Sequence, residues 1–443
     1  MALITNFSGG SPYFRGTVSA SASGFDSAGK APVPMSACFL EMSSVPAASA
    51  AAEGPNCGDL ARGCSRRRPS VVHCAALVLF IGVGLAFSAH AAAPPAPVPR
   101  TGQTACYAAT GSAVTGCPGT GQDGDTATGV AWPDPRFAEN GDLTILDKLT
   151  GLVWTQDANP AGGAKTWQEA LDYIKTLNGG NHLGQSDWRL PNVNELESLV
   201  NKQPNLADWL HAQGFRNLQV DYYWTSTTYA SLVTCAWSVG LYGGIVAGHD
   251  KAGAYYVWPV RQGKAGAVSL PQTGQTTCYD RSGVAVDCAG TGQDGESQAG
   301  VPWPNPRFVE NADGTVADRL TGLAWSKEGM VPGPDACLPG KRRSLQGASR
   351  LVTCLNAKNY LGRKDWRLPN RNELASLVNH GQADSAAWLN SQGFSRIQSS
   401  SYWSSSTFVY AASNGWSVNL HDGAVTTCAK PHDISVWPVR GGE

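Results

Sequence analysis

The chain of 443 residues has nearly balanced charge and an ordinary apolar content. Its 33 Lys+Arg and 34 Asp+Glu give a formal net charge of −1, and hydrophobic residues make up 42 %. These values exclude a wholly disordered, collagen-like or multi-span membrane chain, and the balanced charge argues against a dedicated nucleic-acid binder. The 51 glycines and the charged fraction of 15 % favour a loop-rich protein that contains β-structure.

The first ninety residues predict an export signal rather than part of a folded domain. Residues 1–65 are rich in Ser, Ala, Gly and Pro without a sustained apolar period, which predicts disorder. Residues 66–91 follow the pattern of a secretory signal peptide, with three arginines, an apolar stretch and a cleavage site at Ala89-His90-Ala91. A retained signal anchor is the alternative. Because a signal that begins 65 residues into a chain is unusual, we expect translation to start downstream of Met1.

Residues 101–443 contain two tandem copies of one sequence. TGQTACY (101–107) recurs as TGQTTCY (273–279), and SDWRLPNVNELESLV (186–200) recurs as KDWRLPNRNELASLV (364–378). The offset rises from 171 to 178 once, so a seven-residue insertion between Trp325 and Ser344 accounts for it. Units of this length are tandem globular domains rather than solenoid repeats.

These repeats set the expected domain boundaries. The divisions are a linker at 92–100, repeat 1 at 101–263, a linker at 264–272 and repeat 2 at 273–443.

Within each repeat the pattern predicts two helices followed by an antiparallel sheet. In repeat 1, Thr166-x-x-Glu169 is a capping box that begins the first helix, and Asn192-x-x-Glu195 begins the second. Beyond them, short runs of Tyr, Trp, Ser, Thr and Val broken by Gly predict antiparallel strands. Repeat 2 has the same arrangement, so the predicted fold class is α+β.

The two repeats contain eight cysteines, which suits an oxidising compartment. Their spacing predicts three local disulfides, Cys106–Cys117, Cys278–Cys288 and Cys337–Cys354. The third pair has no counterpart in repeat 1 and would pin the inserted loop to the first helix. Cys235 and Cys428 remain, and they either bridge the repeats or stay reduced. Cys and His do not cluster as a zinc site requires, so we predict no metal and no cofactor.

The motifs shared by both repeats resemble the Lcl C-terminal domain family, which was long catalogued as a domain of unknown function. The resemblance rests on RFxENxDGT, TGLxW, DWRLPNxNELxSLV, YWSSST and VWPVRGG, and it covers both repeats nearly end to end. The family is similar to the C-terminal domain of a bacterial collagen-like adhesin. It implies a C-type-lectin-like fold, a bacterial envelope or extracellular location, and an adhesive or glycan-binding role.

Most of the repeated residues are expected to build the core. Fourteen of the 15 tryptophans form seven equivalent pairs, a pattern more typical of core packing than of sugar platforms. Arg189 and Arg367 of the WRLP motif are expected to pair with a buried acid or with backbone carbonyls. The segment with Asp313 and Asp318 predicts a hairpin turn, and calcium binding there is the alternative.

An enzyme is the weakest of the interpretations. Formylglycine-generating enzymes use the same broad fold, but their chemistry depends on paired cysteines, whereas Cys235 and Cys428 lie in different repeats. The chain holds no GxSxG, HExxH or Walker motif. We therefore predict no catalytic residues.

Charge also distinguishes the repeats. Residues 101–263 carry 9 Lys+Arg and 15 Asp+Glu, net −6, whereas residues 273–443 carry 16 and 15, net +1. The excess lies between 341 and 371, net +8, while the equivalent window 163–193 has net 0. The candidate binding residues are Lys341, Arg342, Arg343, Arg350, Lys358, Arg363 and Lys364. We expect them to converge at one end of the first helix.

Two interpretations of this patch remain open. It is either a solvated face or a site for an anionic polymer such as a sulfated or acidic glycan, lipopolysaccharide or extracellular nucleic acid. The sequence thus predicts a secreted, periplasmic or cell-surface bacterial binding module that recognises an anionic glycan or other polyanion through repeat 2. A structural envelope protein that binds a protein partner is the alternative. We expect no specific nucleic-acid partner, and membrane contact only through an uncleaved signal segment.

Overall fold

The computed structural model describes residues 93–114, 116–203, 205–330 and 333–441. The predicted disordered region 1–65 and the predicted signal segment 66–91 lie outside the described residues. Among the helices of the described ranges, none is long and apolar enough to cross a membrane.

Five of the eight helices in the described residues begin at a side-chain cap. The helices are α1 (Asp123–Thr126), α2 (Trp167–Gly179), α3 (Val193–Ser198), α4 (Leu206–Ala212), α5 (Asp294–Ser297), α6 (Leu345–Ala357), α7 (Arg371–Ala375) and α8 (Ser385–Ser391). Thr166 accepts a hydrogen bond from the Glu169 N–H, and the Glu169 carboxylate accepts one from the Thr166 N–H, which completes the predicted capping box of α2. Asn192 and Glu195 make the same reciprocal pair at α3. Local hydrogen bonding therefore fixes where these helices begin.

Short antiparallel strands surround these helices. The strands are β1 (Phe137–Glu139), β2 (Thr144–Asp147), β3 (Leu152–Thr155), β4 (Tyr222–Thr228), β5 (Cys235–Gly240), β6 (Val246–Asp250), β7 (Val260–Gln262), β8 (Cys278–Tyr279), β9 (Ala285–Val286), β10 (Phe308–Glu310), β11 (Thr315–Asp318), β12 (Leu323–Ser326), β13 (Ser401–Thr407), β14 (Asn414–Asn419), β15 (Val425–Ala429) and β16 (Val439–Gly441). The predicted α+β class and the two repeated halves are confirmed.

Each half also has a small sheet that the sequence pattern did not predict. The strand orders are β1-β2-β3-β7 in repeat 1 and β10-β11-β12-β16 in repeat 2. Three of the four strands in each sheet precede the long helix, so the expected order of two helices followed by a sheet is incomplete. These strands have only three or four residues, which is too short to show the alternation that identifies a half-buried strand.

Six of the remaining strands form one sheet that spans both repeats, while β8 and β9 form a separate two-stranded sheet. The order of the six-stranded sheet is β13-β14-β15-β6-β5-β4, and every neighbouring pair is antiparallel. Each repeat contributes three strands, and the halves meet where Val246 of β6 pairs with Val425 of β15. The sheet order is therefore symmetric about the junction between the repeats.

The hydrophobic core follows the same symmetry. A central cluster contains residues of both repeats, while separate clusters surround α2 and α6. Eleven of the 15 tryptophans are buried, including Trp154, Trp258, Trp325 and Trp437. These four form two equivalent ring pairs with centroids 5.3 and 5.0 Å apart. The repeated tryptophans are thus mainly core residues.

The arginine and aspartate motifs also have structural roles. The Arg189 guanidinium donates to both oxygens of the buried Glu195 at 2.5 and 2.6 Å. Arg367 and Glu373 repeat this contact at 2.6 and 2.7 Å. Asp313 accepts hydrogen bonds from the Thr315 N–H and hydroxyl, as expected of a hairpin turn. The described residues contain no group of three His, Cys, Asp or Glu side chains that could hold a metal ion.

The described part of the chain contains three disulfides, and they join the cysteines that the spacing pairs. They are Cys106–Cys117, Cys278–Cys288 and Cys337–Cys354, with Cα separations of 5.4, 5.2 and 5.7 Å. Each lies within one repeat. Cys235 is a buried free thiol whose pKa is raised by that burial. The alternative in which Cys235 bridges the two repeats is therefore wrong.

The segment at the start of each repeat crosses to the other repeat. We call residues 101–130 arm 1 and residues 273–301 arm 2. Helix α1 of arm 1 packs against β13 of repeat 2, and α5 of arm 2 packs against β4 of repeat 1. Each arm therefore links its own repeat to the other repeat.

Candidate functional site

The positive charge that distinguishes repeat 2 lies on helix α6 and on the segments that precede and follow it. The apolar side of α6 is formed by Leu345, Ala348, Leu351 and Leu355, which are buried in the core around the helix. This spacing places one side of α6 against the core and leaves the opposite side to solvent, where Arg350 is exposed. Arg350, the one charged residue of α6, therefore faces solvent.

The inserted loop before α6 is held by covalent and polar contacts. The disulfide Cys337–Cys354 joins the loop to the helix. The Arg343 guanidinium donates to the carbonyl of Cys337 at 3.0 Å and to that of Leu338. The main chain of Arg343 also exchanges two hydrogen bonds with Ile434. Arg343 thus builds the loop, and its charge is directed at loop carbonyls.

The connection that follows α6 is anchored as well. The Asn356 side chain donates to the Trp366 carbonyl and accepts from the Trp366 N–H, both at 2.8 Å. Arg363 forms an ion pair with Asp313, with Nη2 and Oδ2 3.5 Å apart. Desolvation pushes the pKa of Asp313 up, but hydrogen bonds from Thr315 and the contact with Arg363 outweigh it and hold that pKa below its ordinary value. Arg363 therefore also takes part in the fold.

The other five predicted residues are exposed. We call this group the cationic face: Lys341, Arg342, Arg350, Lys358 and Lys364. The neighbouring acid Asp365 pairs with Arg440 at 3.0 Å, which offsets its charge within the fold. The cationic face is thus the exposed part of the predicted patch.

The cationic face runs along the helix instead of gathering at one end. Lys341 and Arg342 precede α6, whereas Lys358 and Lys364 follow it. A helix of 13 residues is about 20 Å long. The expectation that these cations converge at one end of the helix is therefore wrong, because the helix itself separates them.

The equivalent surface of repeat 1 lacks this charge. The positions that correspond to the cationic face are Gly163, Ala164, Asp172, Gly180 and Ser186. On α2, Lys175 pairs with Asp172 at 3.3 Å, and Glu169 serves as the cap. The chain therefore contains a neutral copy of the same helical surface.

Two places bring a serine close to a histidine. The Ser238 hydroxyl lies 2.7 Å from His249 Nδ1, but Ser238 is wholly buried, so a substrate cannot reach it. In repeat 2, Asp384 lies between Ser399 and His421, at 2.5 and 3.4 Å. In a catalytic triad the histidine lies between the serine and the acid, whereas here the acid lies between the serine and the histidine. Neither arrangement provides an activated nucleophile.

The contacts that join the repeats were missed by sequence reasoning. Asp123 of arm 1 accepts a hydrogen bond from Ser406 at 2.5 Å, and Asp294 of arm 2 accepts one from Thr227 at 2.7 Å. A signal was present, because both aspartates belong to the GTGQDG motif that recurs in the two repeats. The motif has no apolar period, so its repetition did not indicate which residues the aspartates contact.

These observations define an α+β protein made of two repeated halves that exchange their arms and carry one cationic face. The model of the Lcl C-terminal domain matches residues 143–261 and 314–440, which is more than half of the chain. The chain belongs to the Lcl C-terminal domain family, with two tandem copies. Comparison with curated proteins gives no match.

Proposed function

We propose that this protein is an exported bacterial binding module that recognises an anionic glycan through the cationic face of repeat 2. The observation that carries the proposal is the set of five exposed cations on and beside α6, compared with the neutral surface of α2. Arg and Lys in such a set attract sulfate and carboxylate groups without forming a closed pocket.

The arrangement of the charges favours a polymer over a small anion. The cations lie before, on and after a helix that is about 20 Å long. A single sulfate or phosphate contacts only a few of them, whereas an extended chain with repeated charges reaches the whole set. The disulfide and the Arg343 contacts hold Lys341 and Arg342 near α6, which reduces the entropy lost on binding.

The family and the disulfides support the wider setting of this proposal. The three disulfides favour an oxidising compartment, such as the periplasm, the cell surface or the medium. A C-type-lectin-like fold and an adhesive role agree with membership of the family. We regard the protein as a binder rather than an enzyme because its chemistry-bearing residues build the core, the caps and the contacts between repeats.

A charge-exchange experiment on the full chain tests the proposal. In the first variant, the cationic face takes the residues of repeat 1: Lys341→Gly, Arg342→Ala, Arg350→Asp, Lys358→Gly and Lys364→Ser. The control variant replaces five exposed cations elsewhere with serine: Lys175, Arg216, Lys264, Arg281 and Arg319. Elution from immobilised heparin in a salt gradient is measured for both variants and the wild type.

The two variants should behave differently if the site is specific. We expect the first to elute at clearly lower salt and to bind roughly tenfold or more weakly, because several screened charge contacts are lost together. The control should elute close to the wild type. Equal decreases in the eluting salt concentration for both variants would show that heparin binds through general charge alone. Stronger retention on immobilised DNA than on heparin would show that the ligand is a nucleic acid and not a glycan.

A further inference from the structure

Each arm contacts the opposite repeat through a glutamine side chain that makes the hydrogen bonds a neighbouring strand would make. The Gln103 side chain accepts a hydrogen bond from the Thr407 N–H at 2.9 Å and donates one to the Thr407 carbonyl at 2.8 Å. In the other half, Gln275 makes the same two contacts with Thr228, at 2.8 and 2.9 Å. Thr228 and Thr407 are the buried last residues of β4 and β13. Each arm thus satisfies main-chain groups at the end of a strand in the opposite repeat.

A lysine of each repeat completes the contact with the opposite arm. Lys430 donates to the carbonyls of Tyr107 and Ala108 at 3.3 and 3.1 Å. Lys251 donates to the carbonyls of Tyr279 and Asp280, both at 3.2 Å. Burial lowers the pKa of each lysine to about 8. The lysines are therefore partly desolvated and depend on the arm carbonyls as hydrogen-bond acceptors.

The two arm contacts are equivalent, reciprocal and noncovalent. Each combines a glutamine, an aspartate and a lysine contact with the same geometry in the two halves. Because each disulfide lies within one repeat, the covalent path between the described repeats is the linker 264–272. The same contacts would therefore form between two repeats that belong to different chains.

We infer that each repeat has a protein-binding site whose ligand is the arm of another repeat. The site consists of the end of β4 and Lys251 in repeat 1, and of the end of β13 and Lys430 in repeat 2. The partner that fits it is a second copy of this chain. The chemistry of recognition is the pairing of a glutamine side chain with a strand end, a buried aspartate with hydroxyls, and an ammonium with arm carbonyls. Within one chain, each site is occupied by the arm of the other repeat.

A cleavable full-length chain tests this inference. A specific protease site is inserted between Lys264 and Ala265, which are exposed and precede the buried Val268. After cleavage, native mass spectrometry measures whether the two pieces stay together. Isotope-labelled and unlabelled cleaved protein are then mixed and incubated, and the mass of each pair shows whether repeats exchange between copies.

Paired glutamine variants separate recognition from folding. The test variant combines Gln103→Ala with Gln275→Ala, and its control combines Gln168→Ala with Gln346→Ala, which are exposed equivalent positions on α2 and α6. Far-UV circular dichroism checks that the uncleaved variants remain folded. We expect the test pair to weaken the association of the pieces by roughly tenfold or more, because buried main-chain groups lose their partners.

The outcomes are distinct. Pieces that remain paired after cleavage, form mixed-mass pairs and dissociate more readily in the test variant support the inference. Pieces that separate at once in the wild type, or pairs that never exchange partners even after long incubation in mild denaturant, overturn it. If the two pieces associate equally well in the test and control variants, the glutamines do not contribute to recognition of the strand ends.

Discussion

A buried ion pair joins the repeats at one of two equivalent positions. Arg371 of repeat 2 is wholly buried and donates to Glu197 of repeat 1 and to the Gly244 carbonyl. The positions equivalent to Arg371 and Glu197 are Val193 and Ala375, which belong to or pack against the apolar core. One half thus uses a charge pair where the other half uses apolar packing.

The apolar pair supplies a matched variant. Arg371→Val alone should reduce the free energy of unfolding by about 3–5 kcal/mol, because Glu197 is left without its buried partner. Arg371→Val combined with Glu197→Ala should recover much of that loss, since it reproduces the pair of the other half. Urea denaturation of the single and double variants measures the difference. A double variant less stable than the single variant would contradict this account.

The loop before α6 shows how one inserted element changes a repeated surface. It brings Lys341, Arg342 and Cys337 into repeat 2, and Cys354 stands where repeat 1 has Thr176. The disulfide closes a sequence separation of 17 residues. The same element that adds charge therefore also carries the covalent link that restrains it.

Removal of this link should affect stability and binding together. Cys337→Ser with Cys354→Thr should lower the free energy of unfolding by roughly 2–3 kcal/mol, because the unfolded chain regains loop freedom. We also expect elution from heparin at lower salt, since Lys341 and Arg342 are then held only by the Arg343 contacts. The matched control is Cys278→Ser with Cys288→Ser, which removes a disulfide from arm 2. Unchanged heparin elution in the first variant would show that the loop does not position the cationic face.

The two halves are joined through two buried carboxyl groups. Burial raises the pKa of Asp123 and of Asp294 to about 6, and the hydrogen bonds from Thr101, Ser406, Thr227 and Thr273 only partly offset it. A carboxyl whose pKa is higher in the folded than in the unfolded state stabilises the fold at low pH. That contribution is complete below pH about 4 and is lost as the pH rises through about 6.

This linkage predicts how the join between the repeats responds to pH. The wild type should lose stability relative to Asp123→Asn and Asp294→Asn between pH 4 and 7, by on the order of 3 kcal/mol for each carboxyl. Burial also lowers the pKa of His380 to about 3, which acts in the opposite direction. Comparison of variant and wild type at each pH cancels that effect, because both contain His380. A stability difference that does not change with pH would show that the aspartates are ionised throughout.

The sequence by itself determined the features that depend on near neighbours. The capping boxes at Thr166 and Asn192, the disulfides within short loops and the hairpin turn at Asp313 require only local chemistry. Five of the seven pairs of tryptophans lie in the core, because burial of a large apolar ring stabilises the fold. Self-comparison and the recurring motifs were sufficient for the repeats and for the family.

Only the tertiary structure decided which repeat each arm joins. Gln103 and Thr407 are 304 residues apart, and the equivalent threonine in the arm's own repeat is Thr228. Both repeats therefore offer the same strand end to the same arm motif, and the sequence gives no local reason to choose between them. The choice depends on the path of the whole chain, because the sheet that joins at Val246 and Val425 brings the strand end of each repeat to the arm of the other.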